Sequence, residues 1–229
     1  MNILMNMSSR LVIALGIAGC VITAGCDLSA GRMIGFGACI SGMLLQRMDY
    51  SGKFFPDMQP LNVFVVALIA MLVCAAFGTV TGFFIAYLNV PPFIATLAMM
   101  EIVYGIGLIV TNATPLGGYV EQYTNVSNGK FLGINYLIWI AIIVAAITWF
   151  IFNMTRHGKY MYAIGGNPQA AEVAGVPVKA TLILIYMKAA AMYGLAGFML
   201  GAKAGGASVN LGYGYEMEAI AACTIGGVS

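Results

Sequence analysis

Residues 62–88 read NVFVVALIAMLVCAAFGTVTGFFIAYL, without one charged side chain along the run. A helix rises about 1.5 Å per residue, so about 20 residues cross a hydrocarbon core of about 30 Å. This run meets that length, and Pro91-Pro92 closes it off sharply from the next, because proline rings remove backbone donors and disfavour helix just before them. Apolar runs of similar kind lie at about 11–26, 33–46, 93–111, 134–153 and 180–201, and a seventh starts near 217. The first two are shorter and flank the polar stretch Asp27–Arg32, so they are expected to form either two spans or a broken, re-entrant pair. The fold class predicted is all-α: a polytopic integral membrane protein of about 6–7 transmembrane or re-entrant helices, in one domain over residues 1–229.

Bulk composition agrees. Of 229 residues, 61% are hydrophobic and 8% charged, with mean hydropathy +0.93, against about 25% charged in a soluble domain. Too little polar surface remains for water to be the solvent of most of the chain. A net charge of +2 gives no footing for nucleic acid. Cys20, Cys26, Cys39, Cys74 and Cys223 are odd in number, lack C-x-x-C spacing and sit in apolar runs. They read as small hydrophobes, with no metal or disulfide set. Ile17-Ala18-Gly19-Cys20 resembles a lipoprotein cleavage box, but a lipoprotein would continue as a polar domain and this chain continues with further apolar segments.

Between the runs lie a loop holding Arg47, Asp49, Lys53, Pro56, Asp57 and Pro60, and a longer polar stretch at 112–133. Tyr136 and Trp139 near one end of 134–153, with Trp149 near the other, fit interfacial aromatic belts. Gly197, Gly201 and Gly205, and the pair Gly78 and Gly82, recur every four residues, a spacing that lets lipid-embedded helices approach closely. Lysine and arginine distribute over both sets of loops, so the positive-inside rule does not orient the chain.

Enzyme chemistry finds no footing. His157 is the single histidine and lies beside Arg156 in a polar loop, and no H-E-x-x-H or G-x-S-x-G occurs. There is no G-x-x-x-x-G-K-[ST], so ATP, if it drives this chain, is hydrolysed on another subunit. No cofactor or metal is expected. The segment 165–177, GGNPQAAEVAGVP, spells a short helix with both ends specified. Asn167 is a strong N-cap, Pro168 suits the first helical position, Gly175 permits a left-handed C-terminal cap and Pro177 stops continuation. Two turns are too short to stand alone in water, so this helix is either an ordered connector or a docking element with a small alanine face. Asp27 either caps a helix over 28–46, its carboxylate on amides near Ala30, or lines a translocation route with Ser29 and Arg32. Glu216 and Glu218 stand in the first turn of a helix, where the macrodipole favours anions; Glu216 is also a candidate for the route.

Several ordered motifs resemble the ribose/galactoside permease family of ABC importers. They are Asn2-Ile3-Leu4 with Ser8-Ser9-Arg10, Ile13-Ala14-Leu15-Gly16, Asp27 through Arg32, Ile85 through Asn89, Pro92-Phe93-Ile94, Tyr162 through Gly175, and Tyr215-Glu216 with Ala219 through Ala222. Gln46-x-Met48-Asp49 and Phe55-Pro56 are most similar to the galactose/methyl-galactoside branch. The resemblance covers essentially the whole chain. It implies a non-catalytic permease subunit in the bacterial inner membrane, importing a simple sugar, with galactose or methyl galactoside ahead of ribose. It also implies a second permease copy, a cytoplasmic ATP-binding subunit, a periplasmic sugar-binding protein and a lipid environment. The loop 154–179 becomes the cytoplasmic coupling loop, with Gly166, Asn167, Pro168, Ala170, Ala171, Glu172 and Gly175 facing the ATPase. The family runs to about ten helices, so the chain is expected to be truncated at both ends relative to it.

Glu101 and Lys188 depart from that pattern, which has uncharged residues there. Each lies eight positions into its run, roughly 12 Å deep at 1.5 Å per residue. Equal depth allows an ion pair between them, as a structural lock or beside the sugar path, the alternative being charges that do not meet. A secondary transporter with these two as an ion relay is the rival reading, and a membrane-embedded enzyme the third.

Overall fold

The computed structural model describes residues 2–228. Ten helices are present there: α1 (Asn2–Ile22), α2 (Ala30–Leu44), α3 (Val63–Tyr87), α4 (Pro92–Thr111), α5 (Glu121–Asn128), α6 (Tyr136–Met154), α7 (Arg156–Gly166), α8 (Pro168–Val173), α9 (Val178–Ala204) and α10 (Tyr215–Ile225). A two-residue hairpin, β1 (Lys130–Phe131) and β2 (Ile134–Asn135), pairs Lys130 with Asn135. Helices α1, α3, α4, α6 and α9 are long and apolar enough to cross a membrane, and α2 is a shorter apolar helix.

The first span departs from its expected bounds. It begins at Asn2 rather than near 11 and is a full helix, not half of a re-entrant pair. Ser8 and Arg10 do not break it, because the serine hydroxyl donates to the carbonyl of Leu4 four residues back and Arg10 pairs with Glu218 on α10. Helix α2 starts at Ala30 and ends at Leu44, short of a full crossing. It can be short because it never meets lipid: 13 of its residues, from Ala30 to Met43, are buried.

Helix α9 is the axis of the bundle, with α1, α2, α3, α5 and α7 packed around it. Glycine makes those approaches possible. A Cβ on Gly78 of α3 would lie 2.5 Å from Cβ of Ala190 and closer still to the carbonyl of Tyr186. A Cβ on Gly197 would collide with the carbonyl of Ile34 on α2, and one on Gly37 would sit 3.0 Å from Cα of Gly194. Gly205, expected in the same stripe, instead ends α9 in the left-handed region at φ 67°, with nothing near its missing Cβ. Outward faces of α3 and α6 are apolar, with Phe64, Leu68 and Leu72 on one and Ile142, Ile143, Ile147 and Trp149 on the other exposed. Such faces are tolerable only against lipid or another subunit.

Polar segments hold more structure than expected. The stretch 112–133 contains α5, whose Tyr123 hydroxyl donates to the carbonyl of Phe198 at 2.7 Å and so fastens α5 to α9. Buried Gln46 donates to the carbonyl of Gly117 at 3.0 Å and accepts from the amide of Phe54 at 2.7 Å. Together with the Leu116–Ala207 bridge, this joins three connections at one end of the bundle. The opposite end carries α7 and α8.

Candidate functional site

Two regions collect the residues singled out by sequence. The first is the α7–α8 end. Asn167 caps α8 as expected, its Oδ1 accepting from the amide of Ala170 at 3.0 Å. Pro168 occupies the first turn, Val173 ends the helix, and Gly175 follows in the left-handed region at φ 83°. Ala171 is buried and anchors α8, while Gly166, Asn167, Pro168, Ala170, Glu172 and Gly175 are exposed and Val173 is 91% exposed. Ahead of it, sequence reading missed α7, which Thr155 caps by accepting from the amide of Gly158. Its glycine at 165 packs against the carbonyl of Ile22, so α7 crosses beneath the end of α1. Burial first, and the charge of Lys188 second, push His157 down from 6.5 to about 4.

The second region lies where two connections break the helical pattern: 23–29 between α1 and α2, and 205–214 between α9 and α10. Asp27, 2% exposed, is not the cap residue of α2; that position is Ser29, and its side chain makes no capping bond. Asp27 instead accepts from the amide of Ser29 at 3.0 Å and its hydroxyl at 2.6 Å, folding the turn that precedes the helix. Its other oxygen accepts from the Tyr193 hydroxyl at 3.0 Å, which ties that turn to α9. Arg32 stands one turn into α2. Its guanidinium carbon is 3.9 Å from the ring centre of Tyr104 on α4 and 4.5 Å from that of Tyr213, and Nη1 donates to Asn210. Glu216 is buried, its carboxylate accepting from the amide of Gly214 at 3.1 and 3.2 Å and filling the space at Gly31. The expectation for the first turn of α10 fits that geometry. Glu218 pairs with Arg10 at 2.9 Å.

Glu101 and Lys188 do not meet. Among the described residues the ion pairs are Arg10–Glu218 and Arg47–Asp49. Helix α4 packs on α2 and α3, and Glu101 points outward, exposed. Lys188 points toward α1, α6 and α7, among Leu15, Ile151, Phe152 and Met161, 5.7 Å from the Phe152 ring centre. Its Nζ is buried with no hydrogen-bond partner among the described residues. Helical rise supplied equal depth, but the two side chains leave their helices in unrelated directions.

Tyr193, Tyr104, Asn210 and Tyr213 were not singled out from sequence. The polar, glycine-rich run SVNLGYGY at 208–215 carried the signal for a break within the membrane; an isolated tyrosine in an apolar helix carries none. No group of three or more potential metal ligands occurs among the described residues.

A family model described as branched-chain amino acid transport system / permease component matches residues 1–229. The chain is 43% identical to the galactose/methyl galactoside import permease protein of Escherichia coli (strain K12), over all of this chain and 70% of that protein. It is 44% identical to the protein of the same name from Haemophilus influenzae, with the same coverage. The ribose import permease protein of Escherichia coli (strain K12) is 32% identical, over all of this chain and 68% of its own length. No solved structure matches.

Proposed function

The chain belongs to the branched-chain amino acid transport system / permease component family, and from that premise we propose a sugar-importing permease subunit driven by a separate ATPase. Galactose or a methyl galactoside is the first candidate substrate, since the sugar permeases named for them are 43–44% identical to this chain over the matched residues. Ribose or another monosaccharide comes next. The protein is a multi-pass protein of the inner membrane, and its family implies an ATPase and a sugar-binding protein as partners. A second copy of the chain completes the route in this reading.

The observation that carries the coupling role is α8: capped at one end, stopped at the other, anchored only through Ala171, and otherwise exposed. A helix this short has no stability of its own, so its specification at both ends supports a surface held ready for a partner. With the ATPase on that side, 154–179 is cytoplasmic and the Gln46 end is periplasmic. Asp27, Ser29, Arg32 and Glu216 then lie where broken helices place substrate contacts in many transporters, near the midplane.

Labelled galactose uptake into vesicles holding the chain with its ATPase and binding protein tests the reading. Uptake is expected to need ATP and to survive collapse of the proton gradient. Asn167→Ala removes a cap worth about 1 kcal/mol, and is expected to lower uptake while leaving the amount of protein in the membrane unchanged. Uptake that persists without ATP and collapses with the gradient would instead establish an ion-coupled carrier. The separation of Glu101 from Lys188 already weakens the ion relay on which that rival rested.

A further inference from the structure

Arg32, Tyr104 and Tyr213 come from three separate elements, α2, α4 and the 205–214 connection, yet they stack as one unit. Tyr104 lies about 18 Å along α4 from Pro92, just over half the length of that span. The unit is open on one side: Tyr213 is 63% exposed and Asn210 is exposed. Glu101 stands one turn before Tyr104 on α4 and is exposed as well. An ionisable side chain at that depth faces water or protein rather than lipid, so this face differs from the apolar outer faces of α3 and α6. Inside the unit, Nε of Arg32 is buried with no partner among the described residues, so the guanidinium is held by stacking and by one bond to Asn210.

We propose that Tyr104 and Tyr213 form a transit site for a neutral pyranose, and that Arg32 is the latch occupying it when no sugar is present. The inference rests on the sugar-importer reading and names where in the route the sugar is held. A pyranose ring offers C–H groups on its faces and hydroxyls on its edge. Tyrosine rings take the faces, as they take the flat guanidinium here. Asn210, freed from the arginine, takes the hydroxyls. An anionic ligand is disfavoured, because the carboxylates of Glu101 and Glu216 flank the same unit. Sugar and arginine therefore compete for one gap, and entry of the sugar separates three elements that the arginine otherwise joins.

The full chain carrying Tyr213→Trp, reconstituted in lipid vesicles, reports occupancy through indole emission, with the unsubstituted protein supplying the Trp139 and Trp149 background. D-galactose is expected to change the emission saturably, and mannitol, which has no ring face, is not. Adding Tyr104→Ala should weaken the apparent affinity about tenfold, roughly one lost stacking contact, while Tyr104→Phe should hold it within about twofold. Adding Arg32→Ala should tighten galactose binding by removing its competitor; Arg32→Lys, which keeps the charge and loses the flat stack, should do so in part. A purely structural arginine would give weaker binding on removal. No saturable change with galactose, an equal response to mannitol, or weaker binding in both Arg32 variants overturns the proposal. The measurement needs neither ATPase nor binding protein, so failure of ATP-driven uptake with the emission response intact would strike the importer reading alone.

Discussion

Replacing Lys188 with methionine is expected to stabilise this protein. Lys188 stands about 15 Å along α9 from its first residue, and its side chain lies against Phe152 of α6 and Met161 of α7. A charged lysine at the centre of a membrane helix costs about 2.5–3.5 kcal/mol on insertion scales, the upper bound for this site. Its surroundings return little: no hydrogen-bond partner among the described residues, and one aromatic ring at 5.7 Å, a contact worth about 0.5–2 kcal/mol. The cavity beside it, about 20 Å³, has room for about one water. Methionine keeps the length of the stem and adds no charge, so the net gain should be about 0.5–3 kcal/mol, the difference of those two estimates. Reversible unfolding in mixed micelles, followed by helical signal against denaturant fraction, measures it. The same experiment on Glu101→Gln and on the double variant tests independence, since separated sites add to within about 0.3–0.5 kcal/mol. A loss of stability in Lys188→Met, or a coupling above about 1 kcal/mol between the two sites, would refute the geometry and restore the ion pair.

Two further outcomes follow from the packing and the charges. Gly78→Ala forces a methyl group against Tyr186 and Ala190 and should cost about 1–3 kcal/mol, whereas Gly105→Ala, with nothing within 4 Å, should gain up to about 1 kcal/mol through helix propensity alone; thermal unfolding of the pair separates close approach from glycine content. His157 binds its proton less tightly when folded, so stability should fall as pH drops through 6.5 and level off near 4, and His157→Gln should flatten that dependence in a pH series of melting curves.

The spans were readable because hydrophobic length is a one-dimensional property, and α3 and α4 appear within a residue or two of the apolar runs at 62–88 and 93–111. Helix α8 was readable because caps are local: Asn167, Pro168 and Gly175 act on their own backbone. What failed needed a second coordinate. Depth along a helix follows from counting residues, but the direction in which Glu101 or Lys188 leaves it depends on which neighbours α4 and α9 choose. Gly205 shares the spacing of Gly197 and Gly201 but serves as a terminus, because the chain turns there. Asp27 was expected to cap α2 or to line a route; it folds the preceding turn instead, and its partner Tyr193 is far away in sequence, so nothing local announces that bond.

The burial of α2 has a consequence for how the chain is made. A helix of 15 residues that carries an arginine is a poor stop signal for the insertion machinery, since it can neither span the bilayer nor dissolve in it unaided. Its glycines at 37 and 42, and the carbonyl that receives Gly197, fit only walls supplied by α9 and the 112–120 connection, both synthesised later. Until those arrive, α2 must wait at the surface or in a sheltered lateral space. The second element of the chain is therefore one of the last to be seated, and a stall in synthesis before α9 would leave a membrane protein with its centre missing.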